Sequence, residues 1–179
     1  MTLAFTSSEI PIVAWGIDLG TTNSTLCRAS LAVGAIRADE PEVIQLSQPT
    51  EAGAFIGTLL PSMVAVYQGR EFVGEGAKNL RPFVADRSRG LTRNVNSFSD
   101  CKNEIGTSRT YHNAPEGYRS PAEIAGKILA FIRREGMGES IGEVVVTVPA
   151  SFQTAQRADT VRTCALAGLD VGGGRLLDE

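Results

Sequence analysis

Apolar and polar positions are sharply ordered near the start of the chain. The apolar run at 12–17 ends in an acid, Asp18, and then meets Gly20, Thr21 and Thr22. A second alternating run, 24–33, follows at once. This pattern predicts two strands joined by a tight turn, with Asp18 at the end of the first. Residues 42–46 and 59–67 read as further strands. Pro61 falls near the start of the second, where a missing N–H is tolerated. The stretch 48–57 reads as a turn-rich loop. Gln68-Gly69-Arg70 turns the chain into a short return strand at 71–74, and 76–80 reads as a short helix. Residues 81–119 carry weak periodicity and predict loops and short elements.

Ser120-Pro121-Ala122-Glu123 is a helix start in which serine caps, proline takes the first turn and glutamate closes a capping box. Ile124, Ile128, Leu129 and Ile132 then form one apolar stripe, and the helix is expected to end near Gly136. Residues 143–148 form an unbroken apolar and β-branched run, expected of a strand buried on both faces and stopped by Pro149. A helix from about Thr154 to Ala167 should end at Gly168, and 175–179 reads as a last strand. Gly172-Gly173-Gly174 follows a helix rather than opening one, so it reads as a flexible connection and not a phosphate loop. Strands alternating with helices predict an α/β or mixed architecture.

The length, 179 residues, suits one substantial domain or two small lobes sharing a core. An apolar fraction of 42% with 21% charged residues excludes a disordered chain. A net charge of −3 argues against a general nucleic-acid binder. Arg81, Arg87, Arg89 and Arg93 do cluster, and they read as solvated surface rather than a polyanion site. No stretch has the form of a signal peptide or a membrane span, which predicts a cytoplasmic protein with no membrane partner. Cys27, Cys101 and Cys164 include no CxxC pair and suit free thiols in a reducing compartment. His112 is the only histidine and lies in a polar turn, so a histidine metal site or a Ser-His-Asp triad has little support.

The chemistry therefore rests on the first turn. A sharp bend at Gly20 presents successive backbone N–H groups, and such a concave row binds anions, phosphate above all. The hydroxyls of Thr21 and Thr22 add donors. A carboxylate beside a phosphate repels it unless a cation sits between them, so Asp18 implies Mg²⁺ held through coordinated water. Taken alone, the same residues read equally as an ordinary hairpin turn. The chain has neither GxxxxGK[ST] nor a GxGxxG opening a helix.

Four motifs, in order, resemble the nucleotide-binding domain of the seventy-kilodalton heat-shock chaperones, the DnaK-type family. They are Gly16-Ile17-Asp18-Leu19-Gly20-Thr21-Thr22-Asn23-Ser24, Leu60-Pro61-Ser62-Met63-Val64-Ala65, Val73-Gly74-Glu75-Gly76-Ala77-Lys78-Asn79, and Val145-Val146-Thr147-Val148-Pro149-Ala150-Ser151-Phe152 with Gln156-Arg157 and Ala167-Gly168-Leu169 beyond it. The last is the most specific. The resemblance implies an α/β fold: a ribonuclease-H-like mixed sheet with flanking helices, the first lobe of an actin-like ATPase domain, with a reduced side subdomain. It would occupy 1–179, with a core at 10–37 and 120–179 and the side subdomain at about 38–119. The second lobe and a peptide-binding domain are expected to lie outside the chain.

The resemblance also implies roles. Asp18 would orient the hydration shell of Mg²⁺, and Gly20, Thr21, Thr22 and Asn23 would hold the phosphates of ATP or ADP. Lys78, Glu179 and Thr21 would serve catalysis, with Lys78 and Glu179 placing the attacking water. Pro149 and Arg157 would couple nucleotide state to the peptide-binding domain. K⁺ is implied as a further ion. The implied function is an ATP-hydrolysing chaperone acting on unfolded peptide clients, with a J-domain co-chaperone and a nucleotide-exchange factor as partners and no nucleic acid. The chain alone is expected to hydrolyse no ATP and to bind it weakly. A shortened segment between Ile105-Gly106 and Ser120-Pro121, and an altered pair at Asn103-Glu104, depart from the family pattern and put exchange-factor contacts in doubt. The competing readings are a small-molecule kinase or filament protein of the actin-like superfamily, and a non-hydrolysing scaffold with the same fold.

Overall fold

The computed structural model of the chain describes residues 12–32, 35–138, 142–172 and 175–179. The amino-terminal stretch tested for a signal peptide, Val33 at the end of the second apolar run, and Gly173-Gly174 lie outside the described residues.

The first apolar run forms β1 (Ile12–Leu19) and the second β2 (Asn23–Leu31), paired antiparallel as the pattern predicts. Their inward positions, Trp15, Ile17, Leu19 and Leu26, are buried at alternate residues. The expected strand at 42–46 splits. Only β3 (Glu42–Val43) joins the sheet, and β4 (Leu46–Thr50) turns away to pair with β5 (Gly53–Gly57). This β4–β5 hairpin replaces the loop expected at 48–57. Its fully buried anchors are Leu46 and Gln48, and a polar residue at a core position hides the strand from a hydropathy reading.

The strand expected at 59–67 is also two strands, β6 (Leu60–Pro61) and β7 (Val64–Tyr67), broken at Ser62-Met63. The break is a tight turn in which the Met63 N–H donates to the Pro61 carbonyl at 2.7 Å, while the Ser62 hydroxyl serves the first turn. Then follow β8 (Arg70–Val73), α1 (Glu75–Leu80), 3₁₀ turns at Arg81–Val84 and Arg87–Arg89, β9 (Ser97–Phe98), and a 3₁₀ turn at Cys101–Glu104. Gln48 ties α1 to the hairpin. Its Oε1 accepts from the Glu75 N–H at 2.8 Å, meeting one orphan donor of the helix start, and its Nε2 donates to the Leu59 carbonyl at 2.9 Å.

Helix α2 (Pro121–Ile132) carries the expected capping box. The Glu123 N–H donates to Ser120 Oγ at 3.2 Å, and the Ser120 N–H donates to Glu123 Oε2 at 2.8 Å. The stripe Ile124, Ile128, Leu129 and Ile132 is fully buried, worth about 1.5–3 kcal/mol for each side chain. A single π turn, Arg133–Met137, carries the helix past Gly136, and Gly138 stops it at φ +61°. Strand β10 (Glu143–Val148) corrects the reading of two buried faces. Val144, Val146 and Val148 are buried, whereas Val145 and Thr147 are only half-buried, so one face stays partly open. Helix α3 (Thr154–Leu166) packs on α2, and β11 (Leu176–Asp178) ends the fold.

Among the described residues the main sheet runs β11-β10-β1-β2-β3, with β6 sharing the outer side of β2. Strands β1, β10 and β11 are mutually parallel, and β2, β3 and β6 make the antiparallel part. The sheet is therefore mixed. A three-stranded sheet, β8-β7-β9, and the β4–β5 hairpin flank it. One large core joins Ile17, Leu26 and Val146 of the sheet to Ile128 of α2 and Phe98 of β9, so the flanking region shares the main core. A smaller cluster of Met63, Ala65, Phe72, Ala77, Leu80 and Leu91 lies beside it.

Candidate functional site

Three parallel strands bring their carboxyl ends to one edge of the sheet, the place where open α/β sheets bind ligands. Asp18 of β1 stands opposite Thr147 of β10 in the ladder, and Val148 stands opposite Asp178 of β11. Glu179 follows directly, its N–H donating to the Val148 carbonyl at 2.9 Å. Side chains complete the line. Thr147 Oγ1 lies 3.0 Å from Asp18 Oδ1 and 3.4 Å from Glu179 Oε1, with one proton to give to either carboxylate.

Lysine enters from another element. Lys102, on the 3₁₀ turn Cys101–Glu104, places Nζ 2.6 Å from Glu179 Oε1, and its side chain is only 7% exposed. Its neighbour Asn103 accepts a hydrogen bond from Thr21 Oγ1 at 3.2 Å. The chain of contacts Asp18, Thr147, Glu179, Lys102 thus returns through Asn103 to the first turn. Asp18 and Glu179 against Lys102 leave a net negative charge at this edge, favourable to a cation.

The turn itself is held from below. Ser62 Oγ donates to the Gly20 carbonyl at 2.7 Å and lies 2.9 Å from Ser24 Oγ, both serines being buried. Gly20 serves here by its lack of volume. A Cβ at this position would lie 2.0 Å from the Asn23 carbonyl oxygen. The chain after β1 can double back only where that atom is absent. A small recess of about 50 Å³ beside the turn is lined by Thr21, Thr22, Ser62, Arg81 and Asp100.

The structure brings together Asp18, Gly20, Thr21, Thr22, Asn23 and Glu179. It does not bring Lys78 to them. Lys78 is on α1, its side chain is 55% exposed, and its Nζ lies 3.1 Å from both carboxylate oxygens of Glu75 one turn away. An i,i+3 pair on a short surface helix holds it on its own element. Pro149 ends β10, and its carbonyl accepts the Phe152 N–H at 2.8 Å. Arg157 of α3 donates from Nε to the Phe152 carbonyl at 3.2 Å and forms an ion pair with Asp178. Pro149 and Arg157 therefore adjoin the same edge, one residue from Glu179.

Sequence reasoning missed Lys102, Asn103, Thr147 and Ser62. The chain has three lysines, Lys78, Lys102 and Lys127. The signal for Lys102 was its place between Phe98, Cys101 and Ile105, all of which are buried. Thr147 stood out as the one hydroxyl within the β-branched run.

The residues fit a hydrated Mg²⁺. The described residues contain no cluster of three or more His, Cys, Asp or Glu side chains able to hold a metal ion. Mg²⁺ keeps most of its waters and takes one or two carboxylates plus phosphate oxygens, a demand that Asp18 meets. No described helix is long and apolar enough to cross a membrane.

A family model described as "Hsp70 protein" matches residues 14–179. The chain is 33% identical over 159 residues to the "Chaperone protein DnaK" of Metamycoplasma hominis, covering 87% of this chain and 22% of that protein. It is 34% identical over 184 aligned positions to the "Chaperone protein HscA homolog" of Burkholderia cenocepacia (strain HI2424), covering 93% of this chain and 26% of that protein. The chain thus spans about a quarter of the length of the curated relatives it matches. The match over residues 14–179, in a chain whose mixed sheet carries the turn at Gly20 beside Asp18, makes this chain a member of the Hsp70 family.

Proposed function

We propose that the chain is the phosphate-gripping lobe of an actin-like ATPase domain with a ribonuclease-H-like core, belonging to a chaperone that hydrolyses ATP to drive cycles of peptide binding. The single observation that carries this reading is the network Asp18–Thr147–Glu179–Lys102 beside the Gly20 turn. In this reading the backbone N–H groups and hydroxyls at Gly20, Thr21, Thr22 and Asn23 hold phosphate oxygens. Asp18 would hold Mg²⁺ through water, and the bound ion would supply charge neutralisation of the phosphates. Hydrolysis of a phosphoanhydride asks mainly for positioning and charge stabilisation. Glu179 accepts a hydrogen bond from the attacking water. Lys102 sets the direction of that carboxylate and offers positive charge to the transferring group. Thr147 positions both acids.

The lysine of this mechanism is Lys102. Lys78, on the solvent side of α1, has no support from geometry for that part. Pro149 and Arg157 are proposed to pass nucleotide state from Glu179 toward a peptide-binding domain. Client peptides, a J-domain co-chaperone, a nucleotide-exchange factor and a cytoplasmic setting belong to the same proposal. K⁺ rests on the family resemblance alone. The Hsp70 match over residues 14–179 favours neither a small-molecule kinase nor a filament protein.

The test is ATP turnover by the full-length protein. Lys102→Ala should lower turnover by about 100-fold or more, the scale seen when one charge-stabilising donor is lost. Lys78→Ala should leave it within about threefold of wild type, a surface i,i+3 ion pair being worth only a few tenths of a kcal/mol. A large loss at Lys78 with none at Lys102 would overturn the assignment.

A further inference from the structure

We propose that a second pocket, sharing one wall with the recess at the Gly20 turn, binds a small organic monoanion with an apolar body. Arg81, Arg89 and Arg93 are all exposed, but their surroundings differ. Arg89 lies over the Phe83 ring at 4.3 Å and near Asp86. Arg81 and Arg93 instead converge on one cavity of about 280 Å³, although twelve positions apart in sequence. Met63 and Val84 give that cavity an apolar wall, and Ser97 and Ser99 add hydroxyls. Met63 and Ser97 are buried, so this wall belongs to the packed fold and not to a loose surface loop.

Charge sets the ligand class. Asp100 lies 3.4 Å from Arg93 and compensates one guanidinium. The Arg81 side chain has no hydrogen-bond or ion-pair partner among the described residues, although it lines the cavity. One positive charge is therefore left over, which matches a monoanion. Guanidinium groups take carboxylates through paired N–H donors, and an apolar wall with few polar groups holds a carbon skeleton. Polyphosphate fits this cavity poorly, because much of its lining has no donor.

The position gives such a ligand a consequence. Met63, Arg81 and Ser99 also line the recess that holds Thr21 and Thr22. Asp100 immediately precedes the turn bearing Lys102 and sits in the left-handed region at φ +61°. An anion on Arg81 and Arg93 would therefore compete with Asp100 for Arg93 at the residue from which the Lys102 turn starts. This inference does not rest on ATP hydrolysis, and its test is separate.

The test is a titration of the isotope-labelled full chain with 1-naphthoate, read by amide chemical shifts. Saturable shifts centred on Arg81, Val84, Ser97 and Ser99 are expected. The neutral isostere 1-naphthamide should bind at least about fivefold more weakly, as should Arg81→Ala and Arg93→Ala, since each removes a charge-assisted contact. Val84→Trp, which fills the cavity from a half-exposed position, should abolish the shifts while keeping the dispersed spectrum of the fold. If an arginine variant fails to fold, the naphthamide comparison and Val84→Trp still decide. No saturable shift, equal binding of naphthamide, or shifts centred on Thr21 and Thr22 that survive Arg93→Ala would overturn the proposal.

Discussion

Lys102 and Glu179, 77 residues apart, form an ion pair in which Lys102 Nζ lies 2.6 Å from Glu179 Oε1. The pair is unequal. The lysine side chain is 7% exposed and the glutamate 41%. Water can solvate the acid without its partner but cannot reach the base as readily.

That inequality predicts an asymmetry. Glu179→Leu strands a buried ammonium and should destabilise the fold by about 1–3 kcal/mol. Lys102→Met leaves a carboxylate that solvent can reach and should cost less than about 1 kcal/mol. Urea unfolding of the two variants measures both. A larger loss for Lys102→Met would show that the lysine is better solvated than its surroundings indicate.

Gly20→Ala should open the first turn. The new Cβ would meet the Asn23 carbonyl oxygen at 2.0 Å, and main chain cannot rotate away as a side chain can. A loss of about 1–3 kcal/mol is expected, the usual cost of overpacking. Amide shifts should change at Thr21, Thr22 and Asn23, and a spectrum unchanged there would refute the close approach.

Ser62→Ala removes the hydroxyl that holds the Gly20 carbonyl and leaves buried Ser24 without its partner. The expected cost is about 1–3 kcal/mol, the penalty for an unsatisfied buried polar group. Ser24→Ala combined with it should restore part of that loss in a double-mutant cycle. Strictly additive losses would mean that the two hydroxyls act independently.

Stability should fall on the alkaline side. Burial pushes the thiols of Cys101 and Cys164 up from 9.0 to about 12. Burial, with hydrogen bonds to Glu104 and Glu71, pushes the Tyr111 and Tyr118 hydroxyls up as well. These groups hold their protons more tightly when folded, so their contribution is complete below pH 9. It is lost as pH rises from 9 toward 12, at up to about 1.4 kcal/mol per pH unit for each thiol. Denaturant midpoints between pH 8 and pH 10.5 check the sign, and a midpoint that rises with pH contradicts it.

Legibility followed range. Ser120 and Glu123 are three residues apart, and their reciprocal hydrogen bonds need nothing beyond one helical turn. The strands β1 and β2 needed only alternation and a tight turn. Gln48 was hidden because a polar side chain at a fully buried position makes sense only once the Glu75 N–H and the Leu59 carbonyl face it. The part played by Ser62 was hidden for the same reason, its partners lying about forty residues upstream at Gly20 and Thr22.

The order of residues alone settled the elements whose causes are local: the alternating pair, the acid and glycine at the first turn, the capped helix and its apolar stripe. The family resemblance was likewise carried by short contiguous motifs. Which lysine meets Glu179 was decided in three dimensions. Lys78 and Lys102 are the same residue type, one on a short α-helix and one on a 3₁₀ turn. One stays on a surface helix beside Glu75, while the other is drawn into the core by Cys101 and Ile105 and meets Glu179 across the sheet edge. Burial and parallel strand order create that meeting, and neither is a property of any short stretch of chain.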